Sequence, residues 1–314
     1  MKIGVLGATS QIAKDLICSF STEEDKKLYL FARRPDELAK WLKDVGLSER
    51  NQVHDYVALG SQEFDAILNF VGIGNPAKAA AMGPSIFDIT LQYDELALNY
   101  LRQHPACRYI FLSSGAAYGS SFDAPVNAET RAIIDINKLQ PQDWYGVAKL
   151  HAECRHRSLI HLSIVDIRVF NYFSSTQDMN ARFLITDIMR AINEKSLLKV
   201  SSDNIYRDYL HPSDFYQLVC KILAAPRINT AVDCYTQAPI DKINLLVMLH
   251  KKFGLRYEFS EAHTAVNATG NKPHYYSLNR RAADFGYLPN FTSLEGVLQE
   301  ANVQYAKTND IFGM

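Results

Sequence analysis

The chain has 314 residues, enough for one large or two moderate domains, and its formal net charge of −1 provides no field to gather nucleic acid or an anionic membrane. No apolar run approaches the roughly 20 residues needed to span a bilayer. Its five cysteines lack CxxC pairing, so neither a disulfide framework nor a metal site is indicated, and MKIGVLGATS has no signal-peptide core, so a reduced cytoplasmic protein is expected.

The segment KIGVLGA reads as a short strand ending in glycine, and SQIAKDLICSF as a helix with Ile12, Leu16 and Ile17 on one face. KKLYLFA is a second strand, PDELAKWLKDV a helix, NQVHDYVA a weak third strand and FDAILNFVG a strong fourth. SIFDITLQYDELALNYLRQH has the apolar spacing of a long helix, followed by the strand RYIFLSS, the helix WYGVAKLHAECRH and the strand LSIVDIRVFNYF. Apolar strands alternating with helices predict a doubly wound parallel sheet covered on both faces. After about Phe173 longer helices follow with few strands between (ARFLITDIMRAINEKS, SDFYQLVCKILAA, KINLLVMLHKKFG). The expected division is therefore residues 1–170, a dinucleotide-binding domain, and 171–314, a smaller, mostly helical region for substrate.

In the first βα turn, Gly7, Ser10 and Ala13 are small residues spaced three apart. Small residues there let the backbone approach a pyrophosphate at a helix N-terminus. Gly7 suits the tight turn, Ala13 suits close helix–strand contact, and the Ser10 hydroxyl can cap the helix or donate to a phosphate. An ordinary βα turn remains the alternative. The second strand ends LFARRPDEL, with Arg33 and Arg34 where an acid would hold a ribose 2′-hydroxyl. A 2′-phosphate needs a cation, so Arg33 points to NADP rather than NAD, solvated loop arginines being the alternative.

FLSSGAAYG sets Ser113 and Ser114 at the carboxyl end of the fifth strand, where open α/β sheets bind ligands. In YGVAK, Tyr145 and Lys149 are spaced i, i+4 and share one helix face. A phenol titrates near 10, and moving it about three units toward neutrality takes roughly 4 kcal/mol, which a neighbouring ammonium and a positive nicotinamide would supply together. Ser114 then holds a substrate oxygen while Tyr145 exchanges its proton.

With these segments in view, the chain resembles the extended short-chain dehydrogenase/reductase superfamily, in the branch of NAD-dependent epimerases and dehydratases that act on nucleotide sugars. The resemblance runs nearly end to end: GATSQIA, FVG, SSGAAYG, YGVAK, RVFNYF, RDYLHPSDF and SLNRRAADFGYLPNFTSLEGV each match a family segment. It implies a Rossmann-type fold, with Ser114, Tyr145 and Lys149 catalytic. It also implies that Gly7, Thr9, Ser10, Gln11, Ile12, Arg33, Phe70, Val71, Gly72, Tyr145 and Lys149 contact the cofactor, and Tyr118, Asn171 and Arg207 the nucleotide-sugar substrate. Arg207 would meet the diphosphate. Tyr118 can equally plug the site, and Tyr275–Tyr276 would face the nucleotide base or act as surface cover. A homodimer through the helices bearing LQYDELALNYL and WYGVAKLHAEC is also implied.

Two departures bear on the reaction. The glycine motif keeps one glycine of three, and Gly115–Ala116 stand where 4,6-dehydratases of the family carry an Asp-Glu pair for general acid and base work. Dehydration is therefore not expected. Reduction of a 4-keto(-6-deoxy) sugar is the first expectation and epimerisation with retained NAD the second. A non-catalytic dinucleotide-binding sensor is the remote alternative. His151 and Cys154 are expected to pack within their helix, and His211 to hold a loop.

Overall fold

A computed structural model describes residues 1–72, 79, 81–260 and 272–311. In chain order the elements begin β1 (Lys2–Leu6), α1 (Gln11–Phe20), β2 (Lys27–Phe31), α2 (Pro35–Asp44), β3 (Gln52–His54), β4 (Ala66–Asn69), α3 (Ser85–Gln103) and β5 (Arg108–Ser114). They continue α4 (Trp144–Ser158), β6 (Ser163–Val169), β7 (Asn171–Tyr172), α5 (Leu184–Asn193), β8 (Leu197–Val200), β9 (Tyr206–Arg207) and β10 (Tyr209–Leu210). Last come α6 (Pro212–Ala224), β11 (Asn229–Asp233), β12 (Ile240–Asp241), α7 (Lys242–Phe253), β13 (Arg256–Phe259), β14 (His274–Tyr275) and α8 (Ser293–Ile311).

Seven of these strands form one parallel sheet in the order β11-β6-β5-β4-β1-β2-β3. The order reverses beside β1, where a doubly wound sheet opens a ligand crevice at its carboxyl edge. One face packs Ile3, Val5 and Leu30 against Leu16 and Ile17 of α1, Leu38 of α2 and Leu218 of α6. The other packs Leu6, Ile67 and Phe111 against Ala97 and Leu101 of α3 and Ala152 of α4. Strands buried on both faces read as continuous apolar runs, which is why they stood out in the sequence.

Beyond β6 the helices α5, α7 and α8 surround a separate core built on Ile188, Met189, Leu246 and Ala301. This region also holds short strand pairs, β7 with β10, β8 with β13, and β9 between β12 and β14, more strand than the sequence signalled. Pairs of two to four residues are too short to generate a period. The chain also crosses back: β11, from beyond residue 170, pairs with β6 over Asn229–Asp233 and completes the main sheet.

Candidate active site

The turn between β1 and α1 is built as its small residues demand. Gly7 has φ +72°, and a Cβ there would sit 2.7 Å from the Val71 nitrogen, so only glycine fits against the end of β4. Its N–H donates to Phe31 O and to the Tyr56 hydroxyl, both at 3.1 Å. Ser10 is the N-cap, its hydroxyl accepting from the Ala13 N–H at 3.3 Å. Thr9 is exposed beside it, and Gln11 and Ile12 open the first turn, whose N–H groups have no intrahelical carbonyl to reach. Ala13 is fully buried under the helix. A glycine-only turn feeding a capped helix N-terminus fits a dinucleotide pyrophosphate. The Gln11 amide also ties this helix to Thr176, in the loop after β7.

Arg33 is exposed just beyond β2, while its neighbour Arg34 pairs with Glu37 at 2.7 Å. Phe70 points into the core against Phe215, so at the end of β4 it offers a ligand only its backbone. Val71 is partly buried and Gly72 exposed, with the Lys149 ammonium 3.4 Å from where a Gly72 Cβ would lie. Asn69, without a role from sequence, holds this strand end: its side chain accepts from the Val71 N–H and donates to the Tyr109 hydroxyl.

Ser114 ends β5 and caps the 3-10 turn Gly115–Tyr118, its hydroxyl accepting from the Ala116 N–H at 3.2 Å. Tyr145 and Lys149 come from the first two turns of α4, which packs on that turn. Burial raises the Tyr145 pKa and the Ser114 hydroxyl works against it, so the phenol stays protonated. Burial pulls Lys149 down to about 8, against the opposing pull of Asp94, Glu153 and Asp166. The Lys149 ammonium donates to Leu112 O at 2.7 Å, lies 4.3 Å over the Phe111 ring and is 5.9 Å from the Tyr145 ring centre. Its charge therefore reaches the phenol less directly than the i, i+4 spacing suggests.

The residue after Ser114 has a packing reason to be small. A Cβ on Gly115 would sit 2.4 Å from the Phe170 ring, so no larger side chain enters without moving Phe170. No carboxyl group stands at Gly115 or Ala116.

The residues implied for substrate divide. Asn171 is partly buried and donates to Tyr275 O at 3.3 Å, and Arg207 donates to the carbonyls of Tyr206 and Lys272. The Tyr118 hydroxyl instead donates to Asp233 at 2.9 Å and accepts from Arg168 at 2.7 Å, and its ring is stacked on Phe170. Its polar end is spent inside the protein, which makes it the plug. Behind the site, Glu153 accepts from Ser113 at 2.5 Å and from Arg168 at 3.0 Å.

Sequence reasoning missed Lys272 here, and it did not place Tyr275, expected at a nucleotide base or as surface cover, beside the serine: the Tyr275 hydroxyl lies 3.2 Å from Ser114 Oγ. Lys272 is buried with its ammonium 4.8 Å over the Tyr275 ring, and burial together with the Arg207 charge pulls it down to about 8. Both lie more than 150 residues from Ser114, and the pairing of β14 with β9, together with backbone bonds to Phe122 and Val126, brings them there. His151 and Cys154, expected to pack, are exposed on the outer face of α4. His211 caps α6, accepting from the Ser213 N–H. Among the described residues no group of three or more His, Cys, Asp and Glu is placed to hold a metal ion, and no helix is long and apolar enough to cross a membrane.

The profile of the NAD dependent epimerase/dehydratase family matches residues 3–234, from β1 to the end of β11. UDP-glucose 4-epimerase 4 of Oryza sativa subsp. japonica is 27% identical over 176 residues, 53% of this chain. That match spans only 40% of the rice protein's length. Among solved structures, UDP-glucuronic acid 4-epimerase from Bacillus cereus, in complex with UDP-glucuronic acid and NAD, superposes with a TM-score of 0.77 at 17% identity, covering 98% of this chain and 99% of that one. UDP-glucose 4-epimerase from Thermotoga maritima, with UDP-glucose, gives 0.79 at 14% identity, covering 98% and 100%.

Proposed function

The chain belongs to the NAD dependent epimerase/dehydratase family, and from that premise we propose that it interconverts a hydroxyl-bearing carbon and a keto carbon in a nucleoside-diphosphate sugar, inverting that carbon through a transient keto sugar. The carrying observation is a strand-end Ser114 facing Tyr145 with no carboxyl group on the adjoining turn. That arrangement serves proton exchange at one oxygen and lacks the acid and base that elimination of water requires. The similarity to UDP-sugar 4-epimerases supports inversion over reduction, which reverses the ranking drawn from the sequence.

A bound nicotinamide dinucleotide supplies the hydride exchange. Gly7, Thr9, Ser10, Gln11 and Ile12 hold its pyrophosphate, the backbone of Phe70, Val71 and Gly72 lines its other half, and Lys149 adds a positive charge there. Ser114 holds the reacting oxygen. Lys149 together with the positive nicotinamide would oppose the burial that keeps Tyr145 protonated. As the phenolate, Tyr145 would take the proton from the sugar hydroxyl and return it after the sugar has presented its other face. The cations Arg207 and Lys272 face the substrate diphosphate, and Asn171 flanks the sugar. The exposed faces of α3 and α4 would pair two copies as a homodimer, which light scattering checks.

Reduction of a keto sugar with NADPH is the second reading, favoured by Arg33 at the end of β2, where a 2′-phosphate would lie. The deciding experiment denatures freshly purified protein, identifies released nicotinamide, and titrates the emptied protein with NADH and NADPH. Stoichiometric NAD, with an inverted product from UDP-glucose or UDP-glucuronic acid, upholds epimerisation. An empty protein preferring NADPH, with the preference lost in Arg33→Ala, upholds reduction. Failure to bind either cofactor overturns both.

A further inference from the structure

We infer that Tyr275 is a specificity-determining residue: its hydroxyl occupies the position on Ser114 that the reacting oxygen of a substrate must take over. This rests on the nucleotide-sugar reading above. A serine hydroxyl offers three hydrogen-bonding positions, one proton and two lone pairs. On Ser114 the Ala116 N–H occupies one at 3.2 Å and the Tyr275 hydroxyl another at 3.2 Å, while the Tyr145 phenol bears on the third. A substrate oxygen held between Ser114 and Tyr145 needs one of these. The Ala116 bond belongs to the 3-10 turn, and Tyr145 must touch the same substrate oxygen. Tyr275 is the group that gives way.

Two further features agree. The Ala116 N–H also bears on the Tyr275 oxygen, so that oxygen lies where the donors of the site converge. The backbone of Tyr275 is pinned on both sides: His274 N–H donates to Phe122 O at 2.9 Å, and Tyr276 O accepts from Val126 N–H at 3.1 Å. The exchange is therefore a rotation of one half-buried side chain, whose ring now meets Phe122 edge-on at 4.8 Å and Phe170 at 5.2 Å. A sugar with an oxygen at the reacting carbon restores what Tyr275 surrenders. One without it leaves Ser114 and the displaced Tyr275 hydroxyl each a partner short, and is rejected on that account.

Calorimetric titration of the NAD-loaded protein and its Tyr275→Phe variant, with UDP and with UDP-glucose, tests this. Phenylalanine keeps the ring and drops one neutral hydrogen bond, so UDP-glucose should bind the variant about three- to tenfold more tightly, with UDP unchanged. Equal affinity for UDP-glucose overturns the inference. Weaker affinity also overturns it, making Tyr275 a contact to the sugar. If neither protein binds UDP, it is the nucleotide-sugar reading that fails. Tyr275 is then judged on free glucose, through the near-ultraviolet absorbance of reduced nicotinamide: faster reduction by the variant upholds its role, and equal or slower reduction overturns it.

Discussion

The two halves of helix α4 bury charge in opposite ways. At its start Lys149 is enclosed with one backbone carbonyl and an aromatic face, and it is pulled down to about 8. Two turns on, His156 is enclosed just as fully, but between two carboxylates: Asp166 at 2.6 Å from Nδ1 and Asp94 at 2.8 Å from Nε2. Burial works against its charge, yet Asp166 and Asp94 outweigh it and hold the imidazole at about 9. Arg155 and Arg157 complete the set on the outer oxygens of the same carboxylates. The first half brings the Lys149 ammonium close to neutrality beside a phenol that burial holds protonated. The second fixes α4 to α3 and β6 with charges that stay in place. Reactivity and anchoring thus come from one helix through the number of partners each buried group receives.

The largest expected effect is at the reactive end. Tyr145→Phe should lower kcat by a factor of about 10²–10⁴ while leaving cofactor affinity within a fewfold, read from turnover and nicotinamide fluorescence together. Near-normal turnover would remove Tyr145 from the chemistry.

At the anchoring end, His156→Leu removes the buried partner that Asp94 and Asp166 share, leaving each with its outer arginine, and should cost about 3 kcal/mol in urea unfolding. The sign with pH follows from the imidazole. Its folded pKa lies above the ordinary 6.5, so its stabilisation is complete below pH 6.5 and is lost as pH climbs through about 9. The wild-type chain should lose on the order of 3 kcal/mol over that interval, and the variant should lack this slope. A parallel slope in both would refute the anchoring role.

Gly115→Ala tests the packing of the turn on which the reactive end of α4 rests. The added methyl meets the Phe170 ring, so a loss of about 1–3 kcal/mol in thermal unfolding is expected, partly recovered by Phe170→Leu. A neutral substitution would mean that packing is not what keeps a carboxyl group away from Ser114. The smallest effect is a change of shape. With Lys149 at about 8, the alkaline limb of kcat/KM should fall there, and Lys149→Arg should push that limb upward. A limb that stays at 8 belongs to another group.

What the sequence revealed was local. GATSQIA, the strand-end Ser114 and the Tyr145–Lys149 pair are each set by a few consecutive residues, so turn chemistry and helical spacing suffice to find them. Strands β1, β2, β4, β5 and β6 of the main sheet were visible because burial makes them apolar throughout, whereas the half-exposed β3 read only weakly and β11 was not read at all. The closeness of Tyr275 and Lys272 to Ser114 was hidden because β14 is two residues long and reaches the site by pairing with β9 and by backbone bonds to Phe122 and Val126. The setting of His156 was hidden too, since Asp94, Asp166 and Tyr109 come from three other elements. Tyr118 illustrates the limit of a motif: its position beside the site is local information, but the claim of Asp233 and Arg168 on its hydroxyl is not.

The return of the chain to supply β11 has a consequence for how the molecule may be cut. A fragment ending at residue 170 would keep the catalytic turn and α4, but β6 would become the rim of the sheet, an uncovered row of backbone donors and acceptors ready to recruit a strand from another molecule. Tyr118 would lose Asp233 in the same stroke, releasing the aromatic wall beside Ser114. The boundary that helix and strand rhythm place near residue 170 is therefore a change of scenery along the chain and no seam in the solid: the piece before it is finished only by the piece that follows.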